Sequence, residues 1–507
     1  MEYILTIDVG GSSIKVALFD KEGNIITVET QEYELKTPSN NIVELDPNVY
    51  WYVTKNSIRN ILSKIKIDKN NIRAISVCSQ GETIICLDKS GEEVGNAIFW
   101  LDNRAIKEAV EIEKEFGGDE IYEKTGQQEV IASWSAPKIL WLKNNKKENF
   151  KRTSKILFVE DYILYKLSGK YYTEFSMIPS SLLGDIINKK WWKEMLEFVG
   201  IDEERLSEIK EPGETIGYIK DDVANDLGLP IDIQIITGAM DQAASMVGAG
   251  NIKRGIFCET TGTALAITTT TGKKPIKDPK KRIPFYYHAV RDHYYLLPWS
   301  QTAGIILKWF KDEFCFQEIQ AANVKKSDVY DILTSKALKT DPGSEGLMVL
   351  PYFAGAGCPQ MNSYARGIIY GLGLNHKRGH FIRAIMESIG YILQDNIEVL
   401  GSLGLNIEKI ISLGGGSKSG FWNQIKADIT EKPIAVLKNA ESTSMGVFIL
   451  ASVALGNHKD IGQACASIVK EKKIYIPDKK NFKLYREKFR LYKDLYNSLE
   501  DLYKKYQ

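Results

Sequence analysis

Three short segments rich in glycine and hydroxyl residues are the places where this chain is best suited to bind a ligand, the first two phosphate groups and the third a flat group such as an adenine. The first reads Asp8-Val-Gly-Gly-Ser-Ser-Ile-Lys15, the second Thr260-Thr-Gly-Thr263, and the third Gly414-Gly-Gly-Ser-Lys-Ser-Gly420. Tight turns of this composition leave N–H groups and hydroxyls free to point at phosphate oxygens, and glycine lets the backbone approach a flat ligand closely. None of them matches a Walker A loop or a G-x-G-x-x-G fingerprint, which argues against those two classes of nucleotide site.

Two aspartates stand where the chemistry of phosphate transfer needs a carboxylate. Asp241 follows the run Ile233-Gln-Ile-Ile-Thr237 and a glycine, and ligands of α/β folds bind at the carboxyl ends of strands. A carboxylate there can take the proton of a hydroxyl during phosphoryl transfer. Asp8, beside the first phosphate turn, suits water-mediated ligation of Mg²⁺. The alternatives are that Asp241 only caps the next helix and that the first turn is an ordinary hairpin.

Polar residues in the first half of the chain form a candidate acceptor pocket. One predicted strand ends in Ser79-Gln-Gly-Glu82 and another in Trp100-Leu-Asp-Asn-Arg104. Gln80, Glu82, Asp102 and Arg104 offer donors and acceptors for hydroxyl groups, and Trp100 offers an apolar face for the C–H surface of a sugar. Asp102 and Arg104 can equally form a structural ion pair, and the sequence leaves both options open.

Composition and charge exclude several functional classes. The 507 residues carry 66 Lys+Arg against 65 Asp+Glu, a net charge of +1, so no global field attracts nucleic acid or an anionic membrane. Six scattered cysteines without a C-x-x-C pair argue against a disulfide framework and a zinc site. No apolar run reaches the ~18 residues of a membrane span. Because the first residues also lack a basic leader, we expect a cytoplasmic protein.

Two further motifs are assigned no function. His376 and His380 have the i, i+4 spacing of metal ligands, but without a carboxylate partner they are interpreted as a solvated helix start. The basic, proline-broken stretch Gly272–Arg282 is interpreted as an exposed loop rather than a nucleic-acid site.

Strand-like and helical periods alternate along the chain, which predicts an α/β fold. The pattern of strand, small-residue turn, strand and hairpin turn occurs at the start of the chain and again from Gly255 to Gly272. The repetition predicts two lobes of related plan, residues 1–248 and 249–507. Aromatic residues spaced by three and four from Tyr485 to Tyr503 predict a closing helix that docks on the body.

Two longer stretches resemble the signature patterns of the FGGY family of carbohydrate kinases. The first is Ser133-Trp-Ser-Ala-Pro-Lys-Ile-Leu-Trp-Leu-Lys-Asn-Asn145, and the second runs from Gly367-Ile-Ile-Tyr-Gly-Leu372 through His380-Phe-Ile-Arg-Ala-Ile-Met-Glu387. The resemblance covers nearly the whole chain. It implies two actin-like (ribonuclease H-like) lobes of the sugar kinase/Hsp70/actin type that close over MgATP and a small sugar or polyol in an interlobe cleft.

The resemblance also implies roles for individual residues. Asp241 would be the catalytic base, and Asp8 would act near Mg²⁺ through water. The substrate would contact Gln80, Gly81, Glu82, Trp100, Asp102, Arg104, Asp241 and Gln242. The nucleotide would be held by Gly11, Ser12, Ser13, Lys15, Gly262, Thr263, Gly304, Lys308, Gly415, Gly416, Ser417 and Gly420.

Departures from the family pattern bear on the substrate. Glycerol kinases carry Arg-Glu where this chain has Gly81-Glu82, and an aromatic residue where it has Ser133; the Met-His pair of xylulokinases near Gly81 is missing too. The Asp-Gln-Ala-Ala stretch from Asp241 and the run Trp100–Arg104 favour a ketopentose such as xylulose, with a polyol or aldonate as the alternative. A non-enzymatic ATP switch of the actin/Hsp70 kind is the alternative from a different class. The sequence leaves open which hydroxyl is phosphorylated and whether the chain forms a homodimer.

Overall fold

The computed structural model describes residues 2–505, and its helices and strands lie within that range. Met1, Tyr506 and Gln507, which the predicted lobe ranges include, lie outside the described residues. Within residues 2–505, no helix has both the length and the apolar character needed to cross a bilayer.

The first half of the chain contains strands and helices in alternation. Its strands are Tyr3–Val9 (β1), Ser13–Asp20 (β2), Ile25–Glu32 (β3), Lys36–Ser39 (β4), Ile42–Leu45 (β5), Ile72–Ser79 (β6), Ile85–Leu87 (β7), Ala97–Ile98 (β8), Lys155–Leu157 (β9), Tyr172–Glu174 (β10), Gly184–Asp185 (β11), Lys190–Trp191 (β12), Glu208–Lys210 (β13), Thr215–Tyr218 (β14) and Gln234–Met240 (β15). Its helices are Pro47–Lys64 (α1), Ile106–Thr125 (α2), Ser135–Asn145 (α3), Lys147–Arg152 (α4), Val159–Ser168 (α5), Lys193–Val199 (α6), Asp221–Leu227 (α7) and Asp241–Gly248 (α8).

The second half follows the same alternation. Its strands are Ile256–Thr261 (β16), Leu265–Gly272 (β17), Phe285–Tyr287 (β18), Tyr294–Leu296 (β19), Trp299–Ser300 (β20), Met348–Leu350 (β21), Ile368–Tyr370 (β22), Lys409–Leu413 (β23), Ile434–Leu437 (β24) and Glu471–Tyr475 (β25). Its helices are Gly304–Phe314 (α9), Phe316–Lys325 (α10), Val329–Ala337 (α11), Arg378–Ser402 (α12), Gly420–Thr430 (α13), Ser442–Ala454 (α14), Ile461–Ile468 (α15) and Phe482–Lys505 (α16).

The main sheet of the first half brings three strand ends together. Its order is β14-β15-β6-β1-β2-β3, in which β1, β2 and β3 are antiparallel neighbours while β1, β6 and β15 run parallel. Val9 at the end of β1 and Met240 at the end of β15 both pair with Ser79 at the end of β6. The segments that follow these three strands therefore meet at one edge of the sheet.

The main sheet of the second half repeats this plan. Strand β16 pairs antiparallel with β17 and parallel with β23, so Thr260 lies opposite Leu413. The second and third glycine-rich segments therefore start side by side. The predicted α/β fold with two related lobes is confirmed, and the boundary between residues 248 and 249 stays a prediction.

Helices α8 and α14 cross where the two lobes meet. A Cβ atom added to Gly446 would lie 1.8 Å from the Ala244 carbonyl oxygen, and one added to Gly248 would lie 1.8 Å from the Ser442 carbonyl oxygen. Only glycine allows backbones to approach so closely. On its other side α14 contacts the first sheet, where the rings of Phe19 and Phe448 stack with centroids 4.8 Å apart.

The closing helix is also as predicted, because α16 buries the five aromatic side chains of Tyr485, Phe489, Tyr492, Tyr496 and Tyr503. The interpretation of the histidine pair is partly wrong. His376 is only partly exposed and His380 is buried in the first turn of α12, where its Nδ1 accepts a hydrogen bond from Lys377 N at 2.8 Å.

The stretch Gly272–Arg282 is only in part the exposed loop that we expected. Lys277 and Lys281 pair with Glu123 and Asp119 of α2, and Arg282 pairs with the buried Asp278 at 2.8 Å. Much of the positive charge of this stretch is therefore neutralised within the protein.

Candidate active site

Three carboxyl groups lie together where β1, β6 and β15 end. Burial, together with the negative charges of Asp8 and Glu82, raises the pKa of Asp241 to about 7. Burial also raises the pKa of Asp8 to about 6, against the opposing effect of Lys15, and raises the pKa of Glu82. Because Asp241 titrates near neutrality, it is suited to accept a proton from a hydroxyl group.

The residues predicted to bind the acceptor differ in whether their polar groups are already hydrogen-bonded within the protein and in how exposed they are. Gln80 donates from Nε2 to the Tyr50 hydroxyl at 3.0 Å, whereas its buried Oε1 has no partner among the described residues. Gln242 is the second residue of α8, directly after Asp241. Trp100 is 37% exposed, and its Nε1 lies 3.2 Å from where a Cβ of Gly11 would be. This indole therefore lies next to the first phosphate turn.

Asp102 and Arg104 form the ion pair that the sequence left as one of two options. Arg104 Nε donates to Asp102 Oδ1 at 2.8 Å, and its Nη2 donates to Asp102 Oδ2 at 2.7 Å and to Glu44 Oε1 at 2.7 Å. Val43 N also donates to Asp102 Oδ2 at 2.7 Å. Asp102 has no exposed surface and both of its oxygens are engaged, so a direct contact with substrate stays a prediction for this pair.

Lys138 is a residue near the candidate acceptor pocket that sequence reasoning missed. Its side chain is fully buried, and Nζ donates to the backbone carbonyl of Glu82 at 3.1 Å. Ser135 Oγ donates to the same carbonyl at 3.2 Å. Glu82 has a φ of 62°, a left-handed conformation that is unfavourable for a residue with a side chain. Two donors from α3 therefore hold this backbone, and burial lowers the pKa of Lys138 to about 7. The sequence signal that could have indicated Lys138 was its position in the stretch Ser133–Asn145.

A cleft of 490 Å³ opens in the second half of the chain, between the second and third glycine-rich segments. Its walls include the predicted nucleotide-binding residues Gly262, Thr263, Gly304, Lys308, Gly415, Gly416 and Gly420. Lys418 and Ser419, which lie within the third glycine-rich segment, also line it, together with residues that were not predicted, among them Asp328, Tyr330, Asp331, Thr334, Met386 and Trp422. Ser417 is not among the lining residues, and its Oγ donates to the Gly414 carbonyl at 2.7 Å.

Glycine is needed at two points of this cleft. A Cβ on Gly304 would lie 2.5 Å from the Gly262 carbonyl oxygen, and a Cβ on Gly416 would lie 2.6 Å from Thr261 Cβ. The absent side chains let the two loops and the start of α9 approach one another closely. Trp422, Leu307, Tyr330 and Met386 also line the cleft and offer apolar surface to a ligand such as a flat purine base.

The two predicted cations are already paired. Lys15, in the first phosphate turn, forms an ion pair with Glu441, which precedes α14 in the other lobe. Lys308 pairs with Asp312 one helical turn later at 2.7 Å. Ser12 is exposed and Ser13 partly exposed, so their hydroxyls remain accessible in the first turn. A bound phosphate would compete with these carboxylates for Lys15 and Lys308.

The residues at the first turn fit a magnesium ion that is shared with a nucleotide. Mg²⁺ is held in such sites by one or two carboxylates together with phosphate oxygens and water. Asp8 offers one carboxylate beside the turn, and Asp241 lies near enough for the charge of Asp8 to raise its pKa.

Comparisons with known proteins identify the family. The model of the N-terminal domain of the FGGY family of carbohydrate kinases matches residues 3–248, and that of the C-terminal domain matches residues 257–455. The chain is 31% identical to the xylulose kinase of Lactococcus lactis subsp. lactis (strain IL1403) over 488 residues, 96% of this chain and 94% of that protein. It is 31% identical to the gluconokinase of Bacillus subtilis (strain 168) over 455 residues, 90% and 88% of the two chains.

A solved structure extends the likeness to the whole fold. The crystal structure of ligand-bound xylulose kinase from Lactobacillus acidophilus covers 100% of both chains with a TM-score of 0.90 at 29% identity. The two-lobed architecture, the glycine-lined cleft and the carboxyl groups at the edge of the first sheet thus occur together with sequence similarity along nearly the full length. The chain belongs to the FGGY family of carbohydrate kinases.

Proposed function

We propose that the protein transfers the γ-phosphoryl group of ATP to a hydroxyl group of a small ketopentose such as xylulose. Membership of the kinase family makes the chain an enzyme, so the alternative of a non-enzymatic switch no longer applies. The observation that carries the proposal is Asp241, a carboxyl group with a pKa of about 7 that directly follows β15, at the sheet edge where Asp8 and Glu82 also lie.

The described residues suggest a division of labour. The loops around Gly262 and Gly416 hold the nucleotide, and the hydroxyls and N–H groups of the first turn receive its terminal phosphates. Asp241 takes the proton of the attacking hydroxyl, while Lys15 leaves Glu441 to meet the developing negative charge. Mg²⁺, held near Asp8, would neutralise phosphate charge when it is bound. Closure of the lobes excludes water from the reaction.

The ketopentose assignment is supported by the xylulose kinases among the relatives and by the Asp-Gln-Ala-Ala stretch at Asp241. An aldonate such as gluconate is the second candidate, because the gluconokinase is equally identical to this chain. Glycerol is less well supported. Gly81 and Ser133 replace the arginine and the aromatic residue that glycerol kinases use there.

A coupled assay of ADP release tests the proposal. Xylulose, other ketopentoses, gluconate and glycerol are each added with ATP and Mg²⁺. We expect the largest kcat/KM with a ketopentose. A larger value with gluconate moves the assignment to the second candidate, and no stimulation by any sugar, polyol or aldonate contradicts the proposed reaction.

A further inference from the structure

A fully buried ion pair lies next to the glycine-lined cleft, which we call the donor cleft. The pair contacts Thr261 and Trp422, which line that cleft. Lys426 of α13 and Glu259 of β16 have no exposed side-chain surface, and Lys426 Nζ lies 2.6 Å from Glu259 Oε1. Burying two charges carries a desolvation penalty, and replacing such a pair by apolar side chains is often neutral or stabilising. Fold stability alone therefore gives little reason for this pair.

The Glu259 carboxylate connects β16 and β23, the two strands that lead into the loops at Gly262 and Gly414. We call these two loops the donor loops. Thr261 Oγ1, at the end of β16, donates to Glu259 Oε2 at 2.5 Å. Ser412 Oγ, on the neighbouring strand β23, donates to Glu259 Oε1. Thr261 directly precedes Gly262, and Ser412 stands two residues before Gly414. The pair thus ties together the bases of both loops.

Lys426 completes the connection on the nucleoside side of the cleft. Its Nζ donates to Thr261 Oγ1 at 3.2 Å and lies 5.1 Å from the centre of the Trp422 ring. Trp422 lines the cleft, and its Nε1 donates to the Met386 carbonyl at 3.0 Å. A cation held against an indole face restricts the orientation of the ring.

We infer that Glu259 and Lys426 are positioning residues for the phosphate donor. They fix the register between the loop at Gly262, the loop at Gly414 and the Trp422 ring, without contacting the nucleotide themselves. The inference rests on the proposed binding of ATP in this cleft. Because the effect passes through the donor loops alone, loss of the pair weakens nucleotide binding and leaves sugar binding unchanged.

The variant Lys426→Met tests this, with ADP affinity measured by calorimetry in the absence of sugar. Losing the hydrogen bonds of a charged group that holds both loops is expected to raise the Kd of ADP and the KM of ATP by about tenfold or more. The KM of the sugar is expected to change by less than about twofold, since the candidate acceptor pocket belongs to the first lobe.

Arg383→Met is the matched control, because Arg383 and Glu387 form a comparably buried pair in α12 with Nε and Oε1 2.8 Å apart. Both single variants leave a buried carboxylate unpaired and are expected to lower the melting temperature. Only Lys426→Met should weaken ADP binding. Equal ADP affinities in the two variants would mean that the Lys426 pair is merely structural, and would overturn the inference.

The double variant Glu259→Met/Lys426→Met keeps the test decisive if the single variant does not fold. It removes both charges, so we expect it to regain thermal stability while its ADP affinity stays low, because Thr261 and Ser412 have lost their shared acceptor. Wild-type ADP affinity in the double variant overturns the inference. Failure of the wild-type protein itself to bind ADP refutes the proposed ATP site instead, so the two failures are distinguishable.

Discussion

The electrostatic surroundings of Asp241 determine the pH at which this carboxyl group can act as a base. Burial makes the largest contribution to its raised pKa, and the charges of Asp8 and Glu82 add to it. A sequence identifies the aspartate at a strand end but not its neighbours. Glu82 stands 159 positions earlier in the chain, and its approach depends on the pairing of β6 with β15.

Asp241→Asn is expected to abolish phosphoryl transfer while leaving ADP affinity unchanged within about twofold. The amide keeps the shape of the side chain but cannot accept the proton, and general-base removal costs about 10²- to 10⁴-fold in rate. Single-turnover transfer and ADP calorimetry check the two halves of the prediction. Turnover near the wild-type level would exclude Asp241 as the base.

The pH dependence of kcat/KM gives a second prediction at this position. Activity should rise as pH increases through about 7, because only the ionised Asp241 accepts a proton. Removing a neighbouring negative charge with Glu82→Gln should move this rise to lower pH. The profile is measured with saturating ATP, and an unmoved or upward-shifted midpoint in the variant would contradict the electrostatic account.

The thermal stability of the protein should have the opposite pH dependence to its activity, because folding favours the protonated form of Asp241. The folded-state pKa of Asp241 is about 7 against an ordinary value of 3.8, so the folded protein favours the protonated form. The resulting stability is present below about pH 4 and is lost as pH rises through about 7. Asp241→Asn should therefore melt at a higher temperature than wild type at about pH 8, with the difference vanishing near about pH 4. A constant difference across this range would argue against the raised pKa.

At the level of elements, the sequence predicts best where a glycine turn follows a hydrophobic strand. The hairpin of β16 and β17 was predicted from such a pattern between Gly255 and Gly272. Contacts between distant segments could not be predicted in this way. Trp422 looks like an ordinary apolar residue of an amphipathic helix, and it becomes a wall of the cleft only when α13 packs beside α12.

Gly304→Ala is expected to impair the donor cleft selectively. The added methyl group would lie 2.5 Å from the Gly262 carbonyl oxygen, so the loop must move, at a cost of about 1–3 kcal/mol. We expect a higher KM for ATP and an unchanged KM for the sugar in steady-state kinetics. Gly401→Ala in α12 is the control. A Cβ there meets nothing within 4 Å, so kinetics should stay at wild-type values. Equal KM values for ATP in both variants would contradict this role of Gly304.

For the whole molecule, the relation of the two lobes depends on contacts that span the chain. Lys15 and Glu441 are 426 positions apart, and their ion pair joins the first phosphate turn to the segment that leads into α14. The sequence predicted two lobes from a repeated pattern, and that plan is observed. It assigned Lys15 to phosphate alone, since no local signal shows which carboxylate of the other lobe lies nearby.

Glu441→Gln is expected to lower the KM of ATP by about two- to fivefold, because phosphate no longer competes with a carboxylate for Lys15. The effect is small since the pair is partly exposed, with 27% and 34% of the two side chains accessible. Glu471→Gln is the control, because its pair with Lys409 is similarly exposed. Lys409 is the first residue of β23, so this pair lies at the end of that strand away from the loop at Gly414. A fall in KM in both variants, or in neither, would contradict competition at Lys15.

The six free cysteines are all buried, and their positions sample different parts of the molecule. Burial raises the pKa of the thiols, for example of Cys86 to about 11 and of Cys465 to about 12, so the native protein should react slowly with alkylating reagents. Cys86 lies in the first lobe, while Cys465 of α15 contacts the Val247 carbonyl at the junction of the lobes. The chain thus contains its own reporters of local opening. Labelling rates, resolved by mass spectrometry, can measure how often each lobe and the junction between them unfold.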